Sequence, residues 1–226
     1  MRPYSMNIIL IGLTLLLFSA CKQDTDLYTE VVTEVFNVIE SPDEPKLGAM
    51  QFSDSYIYDN SGKEIQYRIY NPDGSIKGIE VKDYESGALP AKSSFFDENN
   101  QLLSYYKLEY DEKDNLSRKL GFDANNDELL RIEVYHYDDQ GNRVAKEIRS
   151  ADDQIQNIID FSHDKYGNEI SVSMRNDKNE EYYKENYEIS SRNKEQEWTQ
   201  RWGMIDGKPK SYTIKRKKTL KKIERK

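Results

Sequence analysis

A short phrase, an aromatic residue followed by an acid or amide, returns along this chain about every 26 residues, and no other feature constrains the fold as much. One series reads Tyr58-Asp59, Tyr84-Glu85, Tyr110-Asp111 and Tyr137-Asp138, with a weaker copy at His163-Asp164. A second series reads Tyr70-Asn71, Phe96-Asp97 and Phe122-Asp123. Continued at the same spacing, the starts fall at 58, 84, 110, 137, 163 and 189, and at 70, 96, 122, 149, 175 and 202. A fixed period of this kind marks one supersecondary unit used repeatedly. Four residues after the starts stand Gly62, Gly74, Asn100, Asp114, Asn126, Gly141, Asp153, Gly167, Asn179, Asn193 and Asp206, with Gly87 one place early. Gly, Asn and Asp accept a positive φ more readily than other residues, and a tight hairpin built on a type I turn closes with such a residue.

Between turns, apolar residues alternate with polar ones, as in Ile170, Val172 and Met174 against Glu169, Ser171 and Ser173. Period two is the pattern of a strand with one buried face. Strands joined by tight turns run antiparallel. The expectation is an all-β chain: an antiparallel meander of about twelve short strands in six repeats of about 26 residues, open or curled into a spiral or partial barrel. The phrases resemble the Tyr-Asp (YD) repeats related to those of RHS proteins, as found in small lipoproteins of the Bacteroidota. Trp198-Thr199-Gln200-Arg201 followed by Asp206-Gly207-Lys208-Pro209 resembles the last unit of such proteins. That resemblance covers about residues 52 to 216 and implies a scaffold; it brings no catalytic residues with it.

The chain begins with a positive residue, Arg2, then an apolar run from Ile8 to Phe18, then Ser19-Ala20 before Cys21. This is the layout of an export signal, and the run is too short for a membrane-spanning helix of about 20 residues. Leu17-Phe18-Ser19-Ala20-Cys21 resembles the bacterial lipobox, which implies lipid attachment at Cys21, although Phe18 stands where an aliphatic residue is usual. An acyl chain contributes about 0.8 kcal/mol per buried methylene, so a multiply acylated cysteine would hold the chain to a leaflet. Cys21 is also the only cysteine, which excludes intramolecular disulfides. The expected divisions are a signal peptide over 1–20, a linker over 21–50, a repeat domain over 51–216 and a basic tail over 217–226.

Within the linker, Leu27-Tyr28, Val31-Val32, Val35-Phe36 and Ile39 form apolar pairs spaced by four, which favours a short N-terminal helix, whereas the β-branched residues among them argue for a strand. We expect the helix. The formal charge of −8 hides a basic end: from Lys208 to Lys226, ten Lys and Arg residues face one acid, Glu224. Such an end suits phosphate head groups or acidic polymers, or it protects an edge strand. A net acidic, exported chain is a poor partner for nucleic acid.

No catalytic constellation stands out. His136 and His163 are the only histidines, and no phosphate-binding glycine loop or nucleophile elbow is present. Neither a cofactor nor a metal is expected. With charged residues at 33% and 17 tyrosines, the composition suits thin sheets covered by amphipathic side chains. Tyr105-Tyr106, Tyr135 with Tyr137, Tyr182-Tyr183, and Trp198 with Trp202 are candidate binding rows that can equally be packing. The functional expectation is a non-enzymatic lipoprotein of the cell envelope, anchored in the outer membrane, with a β-repeat surface that binds a protein or glycan or acts as a spacer. The alternative is an immunity or antitoxin-like lipoprotein that binds a toxin.

Overall fold

The computed structural model describes residues 27–39, 45–85 and 87–220. Cys21 and the segment read as an export signal lie outside the described residues. The elements are all strands: β1 (Tyr28–Ile39), β2 (Lys46–Tyr58), β3 (Glu64–Tyr70), β4 (Ile76–Asp83), β5 (Lys92–Asp97), β6 (Leu102–Tyr110) and β7 (Leu116–Asp123) in the first half. β8 (Leu129–Tyr137), β9 (Arg143–Ser150), β10 (Ile155–His163), β11 (Glu169–Asn176), β12 (Glu181–Arg192), β13 (Trp198–Ile205) and β14 (Lys208–Leu220) complete the chain. Each strand pairs with the next, and β14 returns to pair with β1, closing a 14-stranded antiparallel barrel. The seam joins Tyr28 through Asn37 to Leu220 through Ser211.

This corrects the expectation of an open or partly curled sheet of twelve strands with an N-terminal helix. Twelve turns join thirteen strands, β2 to β14, and the segment read as a helix supplies the fourteenth. Its adjacent apolar pairs place one side chain on each face of a strand. Thr29, Val31, Val32, Thr33, Val35, Val38 and Ile39 favour the pleated backbone, and two neighbours complete its ladder. The basic segment does not guard an edge, because closure leaves no edge: Lys215 to Leu220 belong to the seam. Residues 217–220 of the expected tail are thus strand, and 221–226 lie outside the described residues.

The phrase that marks the repeat has a physical purpose. The acid accepts hydrogen bonds from the amides two and four residues on, as Asp111 does from Lys113 and Asn115, and Asp138 from Gln140 and Asn142. The tyrosine reaches the preceding hairpin: the hydroxyls of Tyr84, Tyr110 and Tyr137 donate to the carbonyls of Glu64, Pro90 and Leu116 at 2.9, 2.8 and 3.0 Å. The Tyr110 and Tyr137 copies therefore shape their own turns and tie them to the turn before. Positive φ occurs at nine of the expected places: Gly62, Gly74, Asn100, Asp114, Gly141, Asp153, Gly167, Asn179 and Asp206. At the other three it falls on Glu85, Asp127 and Gln196 in place of Gly87, Asn126 and Asn193.

Candidate functional site

One set of alternating side chains faces the inside of the barrel, and a single contact shows which. Lys119 on β7 meets Glu80 on β4 at 3.0 Å, passing over β5 and β6. Such a reach is feasible only on a concave face, where side chains converge. Lys82 also pairs with Glu80 at 2.8 Å, and Lys119 sits 4.0 Å over the Tyr106 ring. Burial alone would raise the Glu80 carboxyl, but Lys119 and then Lys82 outweigh it and hold it at about 2.

The rest of the lumen follows the same chemistry. Glu133 takes the hydroxyl of Tyr135 at 2.5 Å and an ion pair from Arg131 at 3.2 Å. Glu185 accepts from Tyr183, Tyr187 and Ser211, lying over Gly203, where an added Cβ would collide with its carboxylate. Arg201 lies between the rings of Tyr187 and Trp198, at 3.6 and 4.3 Å from their centroids. Charged and phenolic groups thus share the interior with apolar side chains of β9 to β11, among them Ile159, Val172 and Met174.

The outer wall is charged as well. Glu109 pairs with Arg118, His136 with Glu147, Asp160 with Arg175, and Glu34 with Arg216 across neighbouring strands. A membrane-spanning barrel presents an apolar outer band about 25 Å tall, and an Arg or Lys at its middle costs about 2–4 kcal/mol. Ion pairs at these four places suit water rather than hydrocarbon, and the same face carries Val32, Ile57, Ile79 and Ile132, all shielded from solvent. No helix among the described residues is long and apolar enough to cross a membrane.

At one rim the lumen widens into a cavity of about 880 Å³. Thr29, Val31 and Thr33 of β1, Tyr56 and Tyr58 of β2, Trp198 of β13, and Lys215 and Lys217 of β14 form its walls. The β2–β3 turn (Asp59, Asn60, Gly62) and the β12–β13 turn (Asn193, Glu197) border it. Lys215 lies 4.5 Å over the Trp198 ring. Burial, opposed by Glu197 and aided by Arg201, pushes the Lys215 amine below the usual lysine range. Burial likewise raises the hydroxyls of Tyr56 and Tyr58. The cavity is therefore aromatic and basic, and it lies within the roughly 300–1,000 Å³ of small-molecule sites.

A scan against protein-family models finds no match, and a search of curated proteins finds none either. Among solved structures, the chain is similar to a porin-like protein from Bacteroides uniformis. The two share 11% identity at a TM-score of 0.45, over 84% of this chain and 97% of that one. It is also similar to a chain of the Photorhabdus luminescens Tc holotoxin pore, with 12% identity and a TM-score of 0.32 over 74% of this chain. A third likeness is to the TcdB2-TccC3-Cdc42 structure, with 11% identity and a TM-score of 0.32 over 80% of this chain. This protein spans 10% and 11% of the length of those last two chains.

The aromatic rows singled out in the sequence divide between the two faces. Tyr106, Tyr135, Tyr137 and Tyr183 are interior, bonded to Arg131, Glu133, the Leu116 carbonyl and Glu185. Tyr105 is outside, stacked on Phe122 at 5.1 Å, and Tyr182 is largely exposed with its hydroxyl on Asn157. Trp198 lines the cavity, whereas Trp202 packs outside on Tyr212 at 4.4 Å. His136 is outside on Glu147, and no three His, Cys, Asp or Glu side chains gather as metal ligands among the described residues. Sequence reading missed Lys215 and Lys217 as cavity residues. The signal available was the alternation along β14, which sends these two inward and Arg216 and Lys218 outward.

Proposed function

We propose that this protein is an exported lipoprotein, tied to the outer membrane through Cys21, whose barrel is a non-enzymatic binding module with its ligand site in the rim cavity. The observation that carries the reading is the pairing of a water-suited outer wall with that aromatic and basic cavity. Such a barrel does not need to enter the bilayer, so membrane attachment falls to the lipid that the resemblance around Cys21 implies. The cavity walls offer rings and amines, which recognise a ligand by stacking and charge.

Metabolic labelling with an alkyne fatty acid, followed by membrane fractionation, tests this reading. The wild-type chain is expected to carry label and sediment with the outer membrane. Cys21→Ala is expected to lose the label and the acyl-dependent attachment. An unlabelled wild-type chain would contradict the anchor.

A further inference from the structure

The rim that holds the cavity is also the rim at which the chain leaves toward Cys21. β1 starts there, since Thr29 stands opposite Tyr58, the last residue before the β2–β3 turn. β14 ends there, since Leu220 stands opposite Tyr28. Leu27 stands six positions after Cys21, a reach of at most about 22 Å. A lipid on Cys21 would therefore bring this rim, with the cavity mouth, against the bilayer surface.

The charges at this rim suit such a surface. Lys215, Arg216, Lys217 and Lys218 are consecutive in β14, so the strand end presents cations on both faces. Arg216 is neutralised by Glu34 at 2.7 Å on the outside. Lys215 and Lys217 line the cavity; Glu197 acts on Lys215 from a distance, and among the described residues neither amine pairs directly with a carboxylate. The cavity's own acids are engaged by their turns: Asp59 accepts from the amides of Ser61 and Lys63, and Glu197 from the Asn193 side chain. Two inward amines beside Trp198, Tyr56 and Val31 call for an anion that carries some apolar bulk. At a membrane surface a phosphate group on an acylglycerol fits that description, and basic residues near the surface are drawn to anionic lipid.

We propose that this cavity holds the phosphodiester head of an anionic membrane lipid, gripped by Lys215 and Lys217 against the Trp198 and Tyr56 rings. The orientation rests on the anchor reading above, whereas the binding chemistry does not.

The test uses the full processed chain purified in a nonionic detergent, with Trp202→Phe so that Trp198 alone reports. Short-chain phosphatidylglycerol, short-chain phosphatidylcholine and inorganic phosphate are titrated separately while fluorescence is followed. A saturable change is expected with phosphatidylglycerol and none with phosphatidylcholine. Lys215→Gln with Lys217→Gln is expected to weaken it roughly tenfold or more, since a charge-assisted contact is lost at each amine. Lys107→Gln on the outer wall is expected to leave it unchanged, and Lys215→Arg with Lys217→Arg to retain it, which separates lost charge from lost fold. Equal responses to the two lipids, an unaffected Gln double variant, or phosphate binding as tightly as the lipid would each overturn the proposal. Intact mass separates the two readings. A chain without acyl groups that still selects phosphatidylglycerol supports the cavity and removes the anchor, whereas an acylated chain that binds neither lipid overturns the cavity and leaves the anchor.

Discussion

Lys119 Nζ and Glu80 Oε1 meet at 3.0 Å although two whole strands, β5 and β6, lie between their own. The pair is a brace across the inner curve of the sheet, and Lys82 and Glu64 extend it at 3.5 Å to β3. Breaking a buried ion pair by removing one partner costs about 3–5 kcal/mol, because the other charge is left desolvated. Glu80→Gln is therefore expected to destabilise the barrel by about 3 kcal/mol in urea unfolding at neutral pH.

The same group sets an acid limit. The Glu80 carboxyl sits at about 2, below its ordinary value of 4.5, so its ionised form stabilises the fold above the ordinary value. That contribution is lost as pH falls through the window from about 4.5 to 2. The gap in stability between wild type and Glu80→Gln is expected to shrink over this window. A gap that stays constant from pH 6 to pH 3 would show that Glu80 is not held ionised by its lysines.

The tyrosine of the repeat phrase is expected to act through its hydroxyl. Tyr110→Phe removes the bond to the Pro90 carbonyl and keeps the ring, so it should cost about 1 kcal/mol. Burial, and then Tyr84 and Glu64, push this hydroxyl up to about 12, so it remains protonated and able to donate across the range of ordinary experiments. Tyr137→Phe, which removes the bond to Leu116, should cost a similar amount, and the two losses should add. Thermal unfolding of the single and double variants checks this.

Turn closure and interior room make opposite demands on glycine. Gly141 has a φ of 83° with open space around it, so Gly141→Ala suffers from backbone strain alone and should lose about 1 kcal/mol. Gly121 has no such strain, but an added Cβ would lie 2.9 Å from the Tyr106 ring. Gly121→Ala should therefore cost about 1–3 kcal/mol by overpacking. Tyr106→Leu in the Gly121→Ala background should recover part of that loss, whereas the same change in the Gly141→Ala background should recover none. Chemical denaturation of the four chains decides it.

The turns were legible because each is written locally. Where the reading slipped, a local irregularity explains it. The β7–β8 loop is longer, with the Asp123 amide bonded to Glu128, which shifts the left-handed place from Asn126 to Asp127. β12 runs for 12 residues, which moves the next turn to Asn193 and its left-handed place to Gln196. Closure was not legible, since an open and a closed meander share one alternation. The two strands that meet at the seam lie at opposite ends of the sequence, and β1 precedes the first repeat phrase. The cavity was hidden for the same reason: Trp198, Tyr56 and the basic run of β14 come together only when the seam is made.

The seam is the claim on which the rest depends, and a cysteine pair tests it most directly. Glu34 and Ile214 stand directly opposite in β1 and β14, on the outer face. Opposed residues of an antiparallel pair have Cα atoms about 4.5–5.5 Å apart, inside the range that a disulfide spans. Glu34→Cys with Ile214→Cys is expected to form that disulfide in the folded protein under mild oxidation, located by peptide mapping, while Glu34→Cys with Asn186→Cys on β12 is not. A first pair that stays reduced in the folded chain would contradict the closed barrel, and with it the cavity at its rim.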